Sequence, residues 1–467
     1  MFRRDYSNMT GFESTATYPL WHDSAAQQTA FKSAPAHAEV DVAIVGSGLS
    51  GLWTAYYLSS AEPTLRIAIL EARHVGFGAS GRNGGWCSGF FPLSVSELAA
   101  VYDHDAALLA YKESFATLPE IEQVLRREGI ECGWHQGGTI QSATTTLQAE
   151  RLQRVLEQQH ASGLGAGDAE WLPSSRVSEH ISVAETHGAI HSRHCATLNP
   201  FQLVNGLAQV LHQRGVTIWQ NTAVQAIDKG VVTHSHGRMV AKQVVQATEG
   251  YSHSIAQTKR RIVPLYSLMV ATEPLDAQTL GALGWHNRAT FNDGGQMVIY
   301  AQLTPDGRIA FGGRGAPYHF ASRVRERFDL DDNTHRRIVS AIAQHFPAAA
   351  QARITHRWGG PLAVPRDWTP TVMLDRAQKY ARLGGYVGDG VAATNLLART
   401  LVDLLLERQT SLIQLPFVNH RSPRWEPEPL RFLGVNSLIA LSESIDNYEA
   451  SHHKVPKLRT KIFEALL

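Results

Sequence analysis

Residues 40–51 read Val-Asp-Val-Ala-Ile-Val-Gly-Ser-Gly-Leu-Ser-Gly. The first six are short, apolar in the main and stop at glycine, which predicts a buried parallel strand. Residues 50–60 predict a helix, and 65–70 (LRIAIL) predict a second strand closed by Glu71, 20 residues beyond Gly51. Strand, helix and strand within about thirty residues make a βαβ unit. Gly46, Gly48 and Gly51 form GxGxxG at its first turn. Gly46 permits the tight turn, Gly48 lets backbone approach a pyrophosphate, and Gly51 allows close helix–strand packing. Leu49 and Ser50 open the helix whose N-terminus receives the phosphates, and Glu71 accepts hydrogen bonds from ribose hydroxyls. An acidic residue at 71 disfavours a 2′-phosphate, so NADP is not expected. The glycines do not separate NAD from FAD.

Glu71 is followed by Ala72, Arg73 and a second glycine-rich run, GFGASGRNGG at 76–85. A backbone with so few side chains can lie against a flat ring or a phosphate.

Further along, 94–127 and 145–162 predict helices, separated by a turn-rich 133–139. Residues 201–214 predict an amphipathic helix. Strands are expected at 216–219, 223–227, 231–234, 243–246, 266–272, 296–303 and 308–311. Thr304-Pro305-Asp306-Gly307 turns the last two into a hairpin. Helices are expected at 334–346, 391–408 and near 435–450, the last following a proline-marked loop.

The 467 residues are 43% hydrophobic and 18% charged, with a formal net charge of +1. That composition and length fit a globular protein of two domains, or of one large domain with an insertion. The composition disfavours nucleic acid or an anionic membrane as the main partner. Asp389, Arg399 and Asp403 interrupt the most apolar region, so no membrane span is expected. Cys87, Cys132 and Cys195 form no CxxC pair, which fits a reducing cytoplasm. Arg3-Arg4 lacks the apolar stretch of an export signal, so export is not expected. The pairs His191/His194, His234/His236 and His452/His453 have no third ligand nearby, and no metal site is expected.

GxGxxG, Glu71 and GFGASGRNGG in this order resemble the D-amino acid oxidase superfamily of flavoenzymes, in its γ-glutamylputrescine oxidoreductase-like branch. Asn199-Pro200-Phe201 resembles the entry to that family's second nucleotide-binding stretch. Ala247-Thr248-Glu249-Gly250-Tyr251 resembles its return strand, with Glu249 where asparagine is usual. Residues 300–314 (YAQLTPDGRIAFGGR) resemble its substrate-domain hairpin. Arg357-Trp358-Gly359-Gly360 and 385–391 (GYVGDGV) resemble two flavin-lining turns. The resemblance covers roughly 39–410.

The resemblance implies an α/β fold: a Rossmann-like FAD-binding domain from 39–90, 199–262 and 355–410, and an interleaved mixed-sheet substrate domain from 91–198 and 263–354. Residues 1–38 form an arm, and 411–467 a C-terminal loop and helix. It implies FAD phosphates at Gly46, Gly48, Leu49, Ser50 and Gly51, and ribose at Glu71 beside Ala72 and Arg73. Gly78, Ala79, Ser80, Arg82, Asn83, Gly84 and Gly85 would line pyrophosphate and flavin. Val224 would meet adenine, and Thr248 and Gly250 would pass near the phosphates. Trp358 and Gly360 would wall the flavin. Gly388, Gly390, Val391, Ala392 and Thr394 would present a helix N-terminus to its pyrimidine edge, where reduced flavin carries negative charge. Some relatives attach flavin covalently through a cysteine or histidine, and in the sarcosine oxidase branch the cysteine lies just after the segment matching Trp358-Gly359-Gly360. Here that stretch is Pro361-Leu362-Ala363-Val364, so FAD is expected to be non-covalent, with Cys87 read as a small buried residue.

The expected reaction oxidises a C–N bond. A neutral amine gives hydride to flavin N5, the imine hydrolyses, and oxygen or another acceptor reoxidises the flavin. Amino-acid-specific relatives place a carboxylate-binding arginine where Pro361 and Leu362 stand, so an amine without an α-carboxylate is favoured. Arg366 follows four residues later. Asp389 either attracts a substrate ammonium or caps the helix that follows. Tyr266, Tyr300 and Arg314 are the other pocket candidates. The alternatives are a glycine, sarcosine or D-amino acid oxidase using Arg314 or Arg366, and a flavin-binding protein without catalysis.

Overall fold

The computed structural model describes residues 12–23, 29–313 and 315–466. Arg3-Arg4 and Arg314 lie outside the described residues.

The strand His37–Val45 sits inside the first sheet, between the parallel strands Ile67–Leu70 and Gly237–Gln246. Its last five residues are buried. Thr217–Trp219 extends the sheet beyond Ile67–Leu70, and Tyr380–Gly384 extends it on the other side, both parallel. Thr371–Asp375 adds an antiparallel edge. The helix Leu49–Ala61 is buried on nearly every side, because it packs against the equally apolar helix Gly390–Leu405. This crossover leaves the turn at Gly46 beyond the carboxyl end of its strand, where open α/β sheets bind ligands.

The second sheet runs Ile354–Pro365, Ile262–Thr272, Ile309–Gly313, Ile299–Leu303, Thr290–Asp293, Thr139–Ser142, Ala189–Ser192 and Glu170–Leu172. It is mixed: Thr290–Asp293 and Thr139–Ser142 pair parallel, and the other pairs are antiparallel. The expected hairpin forms, with Leu303 opposite Ile309. The fold is the expected α/β architecture with a mixed second sheet.

Several local expectations change. The helix expected over 94–127 is two, Val95–Val101 and His104–Glu128. Ser94 caps the first, and Asp103 interrupts to cap the second. Trp358-Gly359-Gly360 is not a turn but the middle of the strand Ile354–Pro365, opposite Met269, Leu268 and Ser267. A Cβ on Gly359 would lie 2.1 Å from Leu268 Cδ2 and 2.9 Å from the Asp329 carbonyl oxygen. The glycine therefore serves close strand packing rather than a turn. The expected return strand at 247–251 ends at Gln246, and Glu249–Ser254 is a 3-10 turn. Ile354–Pro365 pairs in the second sheet, so the expected boundary at 354/355 falls at the start of one of its strands. His104–Glu128, assigned by expectation to the substrate domain, packs on Gly390–Leu405. The C-terminal helix spans Leu430–His452, and a further helix, Lys457–Leu466, follows.

Candidate active site

A cavity of about 410 Å³ opens between the carboxyl end of the first sheet and the second sheet. Two helices begin at its wall. Leu49–Ala61 has Gly48 as N-cap residue, and Gly390–Leu405 has Asp389, and neither N-cap makes a side-chain capping hydrogen bond. The helix N-termini and their dipoles favour anionic or electron-rich groups at both places. The residues present therefore fit a group with phosphates at one end and an electron-accepting ring at the other.

Gly46, Gly48, Leu49 and Ser50 line this cavity, and Gly51 does not. A Cβ at Gly51 would lie 2.0 Å from the Gly46 carbonyl oxygen, so its role is packing. Gly46 has φ +106°, and a Cβ there would meet the Ala247 carbonyl oxygen at 2.5 Å. Glu71, Ala72 and Arg73 line the cavity. Glu71 Oε2 accepts from Ser47 N at 2.9 Å and Ser47 Oγ at 2.8 Å, while Oε1 accepts from Arg73 N at 2.9 Å. A carboxylate has about four acceptor positions, so this bracing leaves capacity for a ribose.

Gly78, Ala79, Ser80 and Asn83 line the cavity, whereas Arg82, Gly84 and Gly85 stand behind it. Ser80 Oγ accepts the Leu49 N–H at 2.8 Å and ties this loop to the helix start. Arg82 turns away to pair with Asp329 at 2.6 Å and stacks over Phe77. Gly84 receives the Tyr300 ring: a Cβ there would be 2.7 Å from Tyr300 Cε2. Trp358 is buried and supports the loop from outside the cavity, its indole N–H donating to the Arg82 carbonyl at 2.8 Å. Gly360 packs on the Arg82 side chain.

Val224, Thr248, Gly250, Gly388, Gly390, Val391 and Thr394 all line the cavity, and Ala392 is buried behind them. Asp389 occupies the N-cap position without a side-chain capping hydrogen bond, which goes against the capping alternative, and it is not among the residues that line the cavity. Tyr266 is buried, and its hydroxyl accepts the Arg325 N–H at 3.2 Å. Tyr300 shares a 2.8 Å hydrogen bond with Ser267 Oγ. Arg366 pairs with Glu426 at 3.3 Å and lies over Trp425, away from the cavity.

Sequence reasoning missed the segment Val324, Arg325, Glu326 and Asp329, which reaches the cavity from the second sheet's side. Nothing in its composition marks it. Two ion pairs fasten it, Arg82 to Asp329 and Arg73 to Glu326. Burial pushes the Asp329 carboxyl up to about 6, against the Arg82 charge that lowers it. Glu249, Tyr251, Leu362 and Tyr386 also line the cavity. They lay inside or beside quoted motifs, but side-chain direction was not legible there. The Glu249 carboxylate accepts N–H groups of Gly385 at 3.0 Å and Tyr386 at 3.3 Å. Burial nevertheless pushes it up to about 7.

The family model described as FAD dependent oxidoreductase, DAO, matches residues 41–404. The chain belongs to the DAO family. Among DAO-family relatives, gamma-glutamylputrescine oxidoreductase of Escherichia coli strain K12 is 27% identical over 419 residues, covering 86% of this chain and 92% of the relative. The oxidoreductase OrdL of Haemophilus influenzae is 25% identical over 402 residues, covering 83% and 87%. The crystal structure of glycine oxidase from Geobacillus kaustophilus has a TM-score of 0.70 at 21% identity, covering 83% of this chain and all of that one. This DAO-family chain is thus an FAD-dependent oxidoreductase, with the fold seen in that glycine oxidase. Among the described residues no helix is long and apolar enough to cross a membrane, and no group of three or more His, Cys, Asp or Glu is placed to hold a metal.

Proposed function

We propose that this protein binds FAD non-covalently in the cavity and oxidises a C–N bond of a small amine, γ-glutamylputrescine-like or another primary or secondary amine. The reading puts the phosphates at the start of Leu49–Ala61, the ribose at Glu71, adenine beside Val224 and the pyrimidine edge at the start of Gly390–Leu405. When bound, FAD supplies the hydride acceptor. The chain's own residues position the amine, exclude water and receive its proton. The imine product then hydrolyses, and oxygen is the proposed final acceptor. Non-covalent attachment is supported by Cys87, which is buried with its thiol pushed well up and lies outside the cavity lining. The three described cysteines are free and buried, in keeping with a cytoplasmic location.

The observation that carries the amine half is the absence of an arginine at Pro361 and Leu362. Leu362 faces the cavity while Arg366 is engaged with Glu426. The test is an anaerobic screen of amines, γ-glutamylputrescine included, against glycine, sarcosine and D-amino acids, reading flavin bleaching. Bleaching by amines alone is expected, and bleaching by amino acids alone overturns the substrate assignment.

One observation favours a second reading. Arg325 lines the cavity, is exposed, and its guanidinium makes no ion pair among the described residues. That placement suits a substrate carboxylate, as a glycine, sarcosine or D-amino acid oxidase requires. The same screen separates the two readings.

A further inference from the structure

The strand Tyr380–Gly384 carries Tyr380 and Arg382 two residues apart, so both side chains stand on one face of the first sheet. That face walls a second cavity of about 240 Å³, which shares no lining residue with the cavity described above. Cations reach it from separate parts of the chain. Lys229 directly follows the strand Val224–Asp228, Arg261 stands just ahead of Ile262–Thr272, Arg382 projects from the sheet, and Arg421 comes from the C-terminal loop. The Gln257 side chain lies among them. Asp228 and Asp375 also line this cavity, but among the described residues neither makes an ion pair with any of these cations.

Arg382 is the unusual member of the group. It is half-buried, and among the described residues its guanidinium has no hydrogen-bond acceptor and no ion pair. Arg261 Nη1 donates to the Ser422 carbonyl at 2.7 Å but meets no carboxylate, and Arg421 has neither kind of partner among the described residues. Burial pulls Arg382 below the ordinary guanidinium range, and repulsion from Arg261 and Arg421 adds to this, opposed by Tyr380. Arginine nevertheless keeps its charge inside proteins. The strand cannot swing the side chain freely into water, since it is paired with Gly237–Gln246 on one side and Thr371–Asp375 on the other. Holding a cation away from water without a counter-charge is unfavourable, and gathering two more cations around it makes it more so. An anion placed on these guanidinium groups relieves both terms.

We propose that this second cavity binds a phosphate group, free or as a phosphomonoester, between Arg261, Arg382 and Arg421. The planar fork of arginine presents paired N–H donors to an oxyanion. Three forks arriving from separate elements match the several oxygens and near-double charge of a phosphate. A carboxylate offers a single charge on a flat group, which fewer guanidinium groups satisfy. Lys229 and Gln257 stand at the same cavity for an oxygen that the arginines leave over. The site goes beyond the proposed amine oxidation and does not depend on it.

The test uses the full chain with FAD in excess, so that the turn at Gly46 is not open to the probe. Inorganic phosphate is titrated calorimetrically, and melting is compared in sodium phosphate and in sodium chloride of equal ionic strength. The wild type is expected to bind phosphate saturably and to melt higher in phosphate. Arg382→Gln should bind about tenfold more weakly, since it loses charge-assisted hydrogen bonds. In chloride it should melt no lower than the wild type, because it removes a cation that lacks a counter-charge. Arg421→Ala alters an exposed residue and should also weaken binding. Arg353→Gln, which breaks a distant surface pair with Glu273, should bind as the wild type does. A wild type with no saturable heat overturns the inference, and so does unchanged affinity in Arg382→Gln and Arg421→Ala. Should Arg382→Gln fail to fold, Arg421→Ala alone decides. Methyl phosphate separates the two sources: tighter binding than inorganic phosphate assigns an ester, and weaker binding assigns the free ion. Succinate bound as tightly as phosphate overturns the phosphate assignment.

Discussion

Arg82 Nη1 lies 2.6 Å from Asp329 Oδ2, and this pair joins the glycine-rich loop of the first sheet to the segment that closes the cavity from the second. Both side chains are mostly buried, at 13% and 16% exposure. Removing one partner leaves the other charge without its counterion, at a cost of up to about 3–5 kcal/mol when burial is complete. Asp329→Ala is expected to weaken FAD retention by at least tenfold, measured as flavin fluorescence released on dilution. Retention equal to wild type would show that the pair does not hold the closing segment.

Glu249 makes a pH prediction. Its native carboxyl titrates near 7, against about 4.3 in an unfolded chain. Between those values the native state holds a proton that the unfolded state has released. Stability from this group is therefore highest below about pH 4 and falls as pH rises through 7. Infrared difference spectra at about pH 6 and about pH 8.5 should show a protonated carboxyl that disappears at the higher pH and is absent from Glu249→Gln. A band unaffected by that substitution belongs to another group.

Gly51→Ala places a methyl 2.0 Å from the Gly46 carbonyl. Backbone must move to admit it, costing about 1–3 kcal/mol and displacing the turn that receives the phosphates. The variant should melt several degrees lower and purify with less than stoichiometric FAD. Full flavin content at an unchanged melting temperature would contradict the packing role.

Arg325, at the cavity, and Arg366, away from it, should behave differently. Arg366→Ala removes a pair with Glu426 and a contact with Trp425, so KM should stay within twofold of wild type. Arg325→Ala should leave KM for a cationic amine unchanged, but raise it about tenfold for an amino acid, equivalent to about 1.4 kcal/mol. A large effect of Arg366→Ala would place that residue back in the substrate site.

Asp389 makes no capping hydrogen bond, so Asp389→Ala tests substrate attraction with little interference from helix stability. KM for a cationic amine should rise several-fold at low salt and less at high salt, since exposed charge attraction is screened. Identical kinetics at both salt concentrations would remove Asp389 from the substrate site.

The βαβ unit was legible from residues 40–71 because its signals are local: valine and isoleucine stop at Gly46, and glycine spacing follows the needs of one turn. The same holds for the hairpin at Thr304 to Gly307 and for the start of Gly390–Leu405. Trp358 and Gly360 were misread as a turn because Gly359 looks the same in sequence whether it bends a chain or admits Leu268 across a strand pair. Glu71 was found, but its bonds to Ser47 were not, since they depend on how the turn closes in space.

By itself, the amino-acid order determined the family, the dinucleotide turn and the elements on either side of it, because each depends on residues close together in the chain. Only the tertiary structure decided which side chains surround the cavity. Arg82 meets Asp329 across 247 residues and Trp21 meets Asn83 across 62. Such contacts arise when two sheets and an arm converge, and no local pattern encodes them.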